Sequence, residues 1–352
     1  MRLTGIDPDS WRVTILPLPK RFSRGTALGF CGGHPVGRAE TARAKSLGCW
    51  WPGGNPELLA LAGYKEVATG SANGNAIPGQ WRKTTTAAMG AVVWSLRDGR
   101  LGGTDLHDPL YESTWAIGAG GGAIVGVGTT PRQPGKKTHK IGLVWREGAK
   151  PIAVVGAGDV VLFTTDGVRL AGSIDGRATL WPSATAASTD LAPTGMAASE
   201  LHALDGELQI GIAWKGMCAR AGLWRGTAAS FCDLTPAGFQ SGRASGGARG
   251  FQVGFVRAKD TTRDGSGGSD NRAVLWQGDA DHWLDLNALL PSKKYNASVA
   301  WAIEICGDAV HICGEASRYE VRGAGTPQES HYVPVAHPVL WTARLRGGRE
   351  ER

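Results

Sequence analysis

The chain has 352 residues, 42% of them hydrophobic, with a net charge of +7 and a sequence pI near 9.2. No stretch approaches the roughly 18 apolar residues of a membrane span. The N-terminal segment carries Asp7, Asp9 and prolines where a signal peptide would have a basic start and an apolar block. Membrane helices and a cleaved leader are thus excluded from the reading, which expects a cytoplasmic protein.

In chain order, the first apolar run, Thr14–Leu18, stands alone. After it the chain falls into seven copies of one unit, each marked by an anchor glycine and a later tryptophan. The pairs are Gly37/Trp51, Gly79/Trp94, Gly126/Trp145, Gly172/Trp181, Gly211/Trp224, Gly254/Trp276 and Gly314/Trp341. Successive anchors are 42, 47, 46, 39, 43 and 60 residues apart. That period suits a four-stranded propeller blade of about 40–50 residues, and also some helical repeats. The turns decide between them. Gly32-Gly33, Asn73-Gly74, Gly121-Gly122, Asp166-Gly167 and Asp205-Gly206 each precede an anchor at one distance, and such pairs supply the positive φ of tight hairpins. With 53 glycines and 18 prolines spread evenly, long helices are not expected.

One unit therefore reads as four strands. In the fifth copy these are A, Glu200–Leu204; B, Glu207–Gly211; C, Arg220–Trp224; and D, Ser230–Leu234. The last copy lacks a strand D, and Thr14–Leu18 supplies the spare. The expectation is an all-β, seven-bladed β-propeller, one domain over 1–352, closed by its N-terminal strand joining the last blade.

Arg177–Trp181 (RATLW), Arg220–Trp224 (RAGLW), Arg272–Trp276 (RAVLW) and His337–Trp341 (HPVLW) carry a resemblance to a family. With Asp190–Pro193 (DLAP), Asp233–Pro236 (DLTP) and the turn-plus-Val-Gly element Gly250–Gly254, they resemble the bacterial HAF-type repeat proteins. The resemblance implies a β-propeller-like repeat protein, often exported, with no general activity attached to it.

The charge is concentrated in the B-to-C segments of units one to three. Residues 38–50 hold Arg38, Arg43 and Lys45 against Glu40. Residues 80–93 hold Arg82 and Lys83, and residues 127–144 hold Arg132, Lys136, Lys137 and Lys140, neither with an acid. Variable loops on a rigid scaffold are where binding sites usually sit. The expected binding face is this rim, with Trp81, Arg82, Lys83, Arg132, Lys136, Lys137 and Lys140 as its contacts. The expected function is a non-catalytic scaffold that binds a protein partner with an acidic surface. A hydrolase or lyase with a central-channel site, served by Glu200 and Glu304, is a second reading. Polyanion or nucleic-acid binding is a third.

Other features point to structure. The anchor tryptophans read as packing between blades. Arg177, Arg220, Arg272 and His337 read as partners of an aromatic or of the repeat's aspartate, and Asp105, Asp190, Asp233 and Asp285 as turn hydrogen-bonders. No nucleophile motif, phosphate loop or dinucleotide fingerprint stands in the right context, so no catalytic residue and no cofactor is expected. The oxygen-rich stretch Asp260–Asn271 lacks an EF-hand pattern, and no metal is expected. Cys31, Cys49, Cys218, Cys232, Cys306 and Cys313 show no disulfide framework and read as free thiols of a reducing compartment, although Cys306 and Cys313 flank one turn.

Overall fold

A computed structural model describes residues 3–43, 45–61, 66–82, 88–258, 271–291, 294–322 and 331–346. They form a seven-bladed β-propeller of four-stranded antiparallel blades. The helices among the described residues are single 3-10 turns. The fifth blade runs Ala198–Asp205 (A), Leu208–Lys215 (B), Cys218–Trp224 (C) and Cys232–Asp233 (D), in that order outward from the ring axis. Strands A to C are longer than the sequence suggests, and D is cut to two residues. Blades one and two are joined into one sheet by a single parallel bridge, Leu47 to Val67.

Closure is as expected, with a shifted boundary. Arg12–Ile15, rather than Thr14–Leu18, is the outer strand of blade seven, and Thr14 pairs with Leu340. Sealing a ring with the two ends of the chain removes the exposed edges that an open sheet would offer.

The anchor glycines have a steric cause. Six of the seven, all but Gly79, are paired with the residue of strand A that precedes an irregularity in register, as Gly211 is with Leu201 and Gly254 with Ala244. A Cβ on Gly211 would stand 1.9 Å from the Glu200 carbonyl oxygen, and one on Gly254 1.9 Å from that of Arg243. Gly37, Gly126, Gly172 and Gly314 meet a strand-A carbonyl at 1.9–2.0 Å in the same way. The turn glycines serve differently. Gly74 and Gly206 have φ of 64° and 53°, the left-handed region that closes a two-residue hairpin.

The core is divided into seven apolar clusters, one at each junction between blades. Each anchor tryptophan lies in the junction with the preceding blade and is at most 2% exposed. Trp51, Trp94, Trp145, Trp181 and Trp341 also donate their indole N–H to a backbone carbonyl just beyond the preceding blade's outer strand, at 2.8–3.2 Å. Truncating such a residue to alanine costs about 3–5 kcal/mol.

The repeat's charged residues close the outer edge of blades four, five and six. Arg177 pairs with Asp190 and Arg220 with Asp233, both at 2.6 Å, and Arg272 pairs with Asp285. The second oxygen of each aspartate accepts a backbone N–H at the start of the next connection, as from Ala192 at 2.8 Å and Thr235 at 2.9 Å. The strand-C arginines and the strand-D aspartates are therefore structural, as the sequence suggests.

All six cysteines are free, and Cys31, Cys49 and Cys313 are buried. Burial pushes the Cys31 thiol up to about 11 and the Cys49 thiol up to about 12. Cys306 pairs with Ala309 and Cys313 with Ala302, so the two do not face each other across their hairpin.

Two outcomes test this packing. Gly211→Ala should lose about 1–3 kcal/mol in urea denaturation, the cost of overpacking a tight site; a midpoint equal to wild type would contradict the close-approach explanation. The second concerns the closing junction, where the Thr26 hydroxyl of blade one donates to Glu315 Oε2 of blade seven at 2.6 Å. Burial, aided by Glu40, raises the Glu315 pKa above the ordinary glutamate value, against the opposing pull of the Thr26 bond and Arg38. A carboxyl whose folded pKa is raised contributes stability below its unfolded pKa, and that stability is lost as pH rises through the folded value. Glu315→Gln should match wild type at acid pH and exceed it near neutrality; the reverse order would overturn this sign.

Candidate functional site in the central channel

The inner strands of successive blades pack on one another around the ring axis. In six of them the pairing with strand B skips one residue: Leu28, Ile117, Phe163, His202, Ser245 and Trp301. Bulges of this kind re-aim a side chain and are common beside active sites. Here the extra residues recur once per blade at one level of the inner strands and form a collar. Its composition is uneven. Blades one, three and four contribute Leu, Ile and Phe; blades five, six and seven contribute His, Ser and Trp. Gly70 stands at the equivalent place in blade two, nine residues before its anchor.

The polar half is extended by three charged residues of the same strands. His202 Nε2 and Glu200 Oε2 lie 3.0 Å apart, and the Phe163 ring meets His202 edge-on with centroids 5.0 Å apart. The Arg243 guanidinium lies over Trp301, 5.3 Å from the ring centroid, a cation–π geometry. Burial lowers the His202 pKa, reinforced by Arg243 and opposed by Glu200, so the imidazole is neutral at pH 7. Burial alone would raise Glu200, but the His202 hydrogen bond and the charges of Arg243 and Lys140 hold it below the ordinary glutamate value. Glu304 is pushed up by burial, against the pull of His311 and His34.

Several polar atoms of this half have no hydrogen-bond partner: Arg243 Nε, Ser245 Oγ, Trp301 Nε1 and Glu304 Oε2. Buried polar groups are normally satisfied, and leaving one unpaired costs about 1–3 kcal/mol. Four such atoms on the inner strands of two adjacent blades are open to a polar ligand or to water.

The residues expected to bind a partner on the rim are placed otherwise. Trp81 belongs to strand B of blade two, is 7% exposed, and donates its N–H to Asp105 Oδ1 at 2.8 Å. It takes the part that arginine plays at the edge of blades four to six, so it is no exposed aromatic platform. Arg82 ends the same strand half-buried, and Lys83 lies outside the described residues. Arg132 pairs with Glu112 at 3.3 Å, and Lys137 with Asp159 at 3.4 Å. Lys140 opens strand C of blade three, where its backbone N–H donates to Asp159 at 3.2 Å. Lys136 and Lys137 border a shallow depression with Thr130, Gln133 and His139. The acids that offset this charge come from the D-to-A connections, which emerge on the same rim and which a loop-by-loop count leaves out. Asp260 to Asp270 of the oxygen-rich stretch lie outside the described residues. Among the described residues no three His, Cys, Asp or Glu side chains are grouped as metal ligands. Among these residues no helix is long and apolar enough to cross a membrane.

No family model matches the chain, and no curated protein is similar to it. Solved structures show the same fold. A puromycin hydrolase S511A mutant complexed with PGG superposes with a TM-score of 0.56 at 9% identity, over 91% of this chain and 60% of that one. The acylaminoacyl peptidase of Pyrococcus horikoshii superposes with a TM-score of 0.50 at 9% identity, over 89% of this chain and 52% of that one. The chain thus spans little more than half the length of these neighbours. At such identity the likeness is one of fold. It nonetheless corrects the expectation of a non-catalytic scaffold with a basic binding rim, because the same ring stands within hydrolytic enzymes, and the ion pairs of Arg132 and Lys137 remove much of the rim's free charge.

Glu200 and Glu304 were visible in the sequence as channel acids. His202, Arg243, Ser245 and Trp301 were not singled out, although a signal exists: in blades one to six the collar residue is nine before the anchor glycine, and in blade seven thirteen.

The state of the Glu200–His202 pair is open to a direct check. Followed by NMR titration, His202 should stay neutral at pH 7, and Glu200→Gln should lower its pKa further by removing an interaction that favours the charged ring. A higher His202 pKa in the variant would contradict the assigned pairing.

Proposed function

We propose that this propeller selects extended, peptide-like substrates for a hydrolytic unit, with the collar as the selecting site. One observation carries the reading: the unpartnered groups on the inner strands of blades six and seven include donors, at Arg243 and Trp301, and an acceptor, at Glu304. A peptide backbone offers carbonyls and N–H groups in alternation and complements both. The apolar half of the collar, Leu28, Ile117 and Phe163, suits a hydrophobic side chain on such a ligand. The solved neighbours, named as a puromycin hydrolase and an acylaminoacyl peptidase, support this choice of substrate class. The sequence carries no nucleophile motif, so the reading leaves bond cleavage to a catalytic unit outside the ring. A cytoplasmic location accords with it, since six free thiols suit a reducing compartment. The HAF-type resemblance is kept within the proposal as a repeat relationship only, its motif residues being the arginines, aspartates and tryptophans that hold blade edges and junctions.

Calorimetric titration with a doubly blocked peptide, N-acetyl-Ala-Phe-amide, tests it. Saturable binding is expected, weakened about tenfold by Arg243→Gln, a loss of about 1.4 kcal/mol. Trp301→Phe, which keeps the ring and removes the N–H, should weaken it severalfold. No saturable binding, or binding untouched by both substitutions, would overturn the proposal.

A further inference from the structure

The hairpin turns joining strands A and B stand on the rim opposite the basic segments, and most are tied to their neighbours. The Gly32 N–H of blade one donates to Gly74 O of blade two at 2.8 Å. Arg146 of blade three reaches Gly167 O of blade four at 2.8 Å, and Arg169 of blade four reaches Gly206 O of blade five at 2.6 Å. The Gly250 N–H of blade six donates to Asp205 of blade five at 2.7 Å, and Arg249 of blade six reaches Gly307 O of blade seven at 2.9 Å. Among the described residues no hydrogen bond joins these turns at the closing junction or between blades two and three. The second of these junctions opens into a cleft of about 920 Å³.

The cleft has an apolar floor and a mouth with both signs of charge. The floor is made by Val93, Leu96, Leu106, Ile124 and the edge of Trp145. The blade-three turn offers little to fill the space, because it is Gly121-Gly122 followed by Ala123. Across the mouth Arg97 of blade two donates to Glu147 of blade three. Both side chains are largely exposed, at 67% and 79%. An exposed pair of this kind is worth about 0–1 kcal/mol, so parting it costs little. Lys150 adds one positive charge, and Asp105 and Asp108 two negative ones, to the lining of the cleft.

We propose that this cleft is a binding site for a small zwitterion with an apolar side chain, a free amino acid or a dipeptide. The ligand's carboxylate takes Arg97, its ammonium takes Glu147, and its side chain enters the floor. A ligand carrying both charges replaces the bridging ion pair without leaving either partner alone, which a singly charged or blocked ligand cannot do. Pockets of this volume and mostly apolar lining are of the size that holds small molecules. The site is distinct from the collar, and its ligand is distinguished by free termini, which the collar does not require.

The test is titration of the full chain with Leu-Leu, with N-acetyl-Leu-Leu-amide and with the singly charged N-acetyl-Leu-Leu, read by calorimetry. Leu-Leu should bind saturably and at least about tenfold more tightly than either blocked form. Arg97→Gln and Glu147→Gln should each weaken Leu-Leu about tenfold while leaving the circular dichroism spectrum and melting temperature unchanged, since both positions are at the surface. The same two substitutions should leave binding of the blocked peptide at the collar unchanged, and Arg243→Gln should leave Leu-Leu binding unchanged. Equal affinity for the three ligands, no saturable binding of Leu-Leu, or loss of it in Arg243→Gln and not in the mouth variants would overturn the assignment.

Discussion

A carbonyl oxygen occupies the place where a Cβ would be, once per described copy in six blades, and the rest of the ring depends on it. The carbonyl two residues before the extra residue of strand A abuts strand B, and glycine lets the strands stay paired at that point. The glycine and the bulge are therefore one device. It fixes the register of the A–B hairpin in each blade, because sliding the pair by one residue would put a side chain against that oxygen. It also sets the extra residue of the inner strand apart from the ladder, where it is available to the channel.

From that level outward, each blade is held by different chemistry. Tryptophan fills the wedge against the preceding blade, and in five copies its N–H ties down the end of that blade's outer strand. At the outer edge an arginine–aspartate pair joins strands C and D in blades four to six, with Trp81 standing in for the arginine in blade two. These contacts are local to neighbouring blades, as in other repeat architectures, where stability is close to a sum of unit and nearest-neighbour terms. The collar is consequently free to vary from blade to blade. Its change from Leu, Ile and Phe to His, Ser and Trp is one that the scaffold does not require.

The architecture was legible because its causes repeat. Six anchor glycines, seven tryptophans and five tight turns at one distance from the anchor each have a steric or conformational reason that recurs from copy to copy, so the pattern survives in the sequence. The candidate site was only partly legible because it consists of what does not repeat. Glu200 and Glu304 draw attention as charges on an inner strand, whereas Arg243 and Trp301 are each one of many of their kind and acquire meaning only when neighbouring blades bring them to 5.3 Å. The charge balance of the basic rim was hidden for a related reason. Glu112 and Asp159 lie in different connections from Arg132 and Lys137, and only the fold places them side by side. Trp81 was misjudged by segment boundaries: strand B runs on to Arg82, so a residue assigned to a loop is packed in a sheet.

The most direct measurement of the central claim is a crystal structure of the protein grown with a saturating blocked dipeptide. The collar reading requires the peptide in the channel, with a carbonyl oxygen within hydrogen-bond distance of Trp301 Nε1 or Arg243 Nε and its side chain against Phe163 or Leu28. A peptide bound elsewhere on the ring, or a collar filled only by water at saturation, would contradict it.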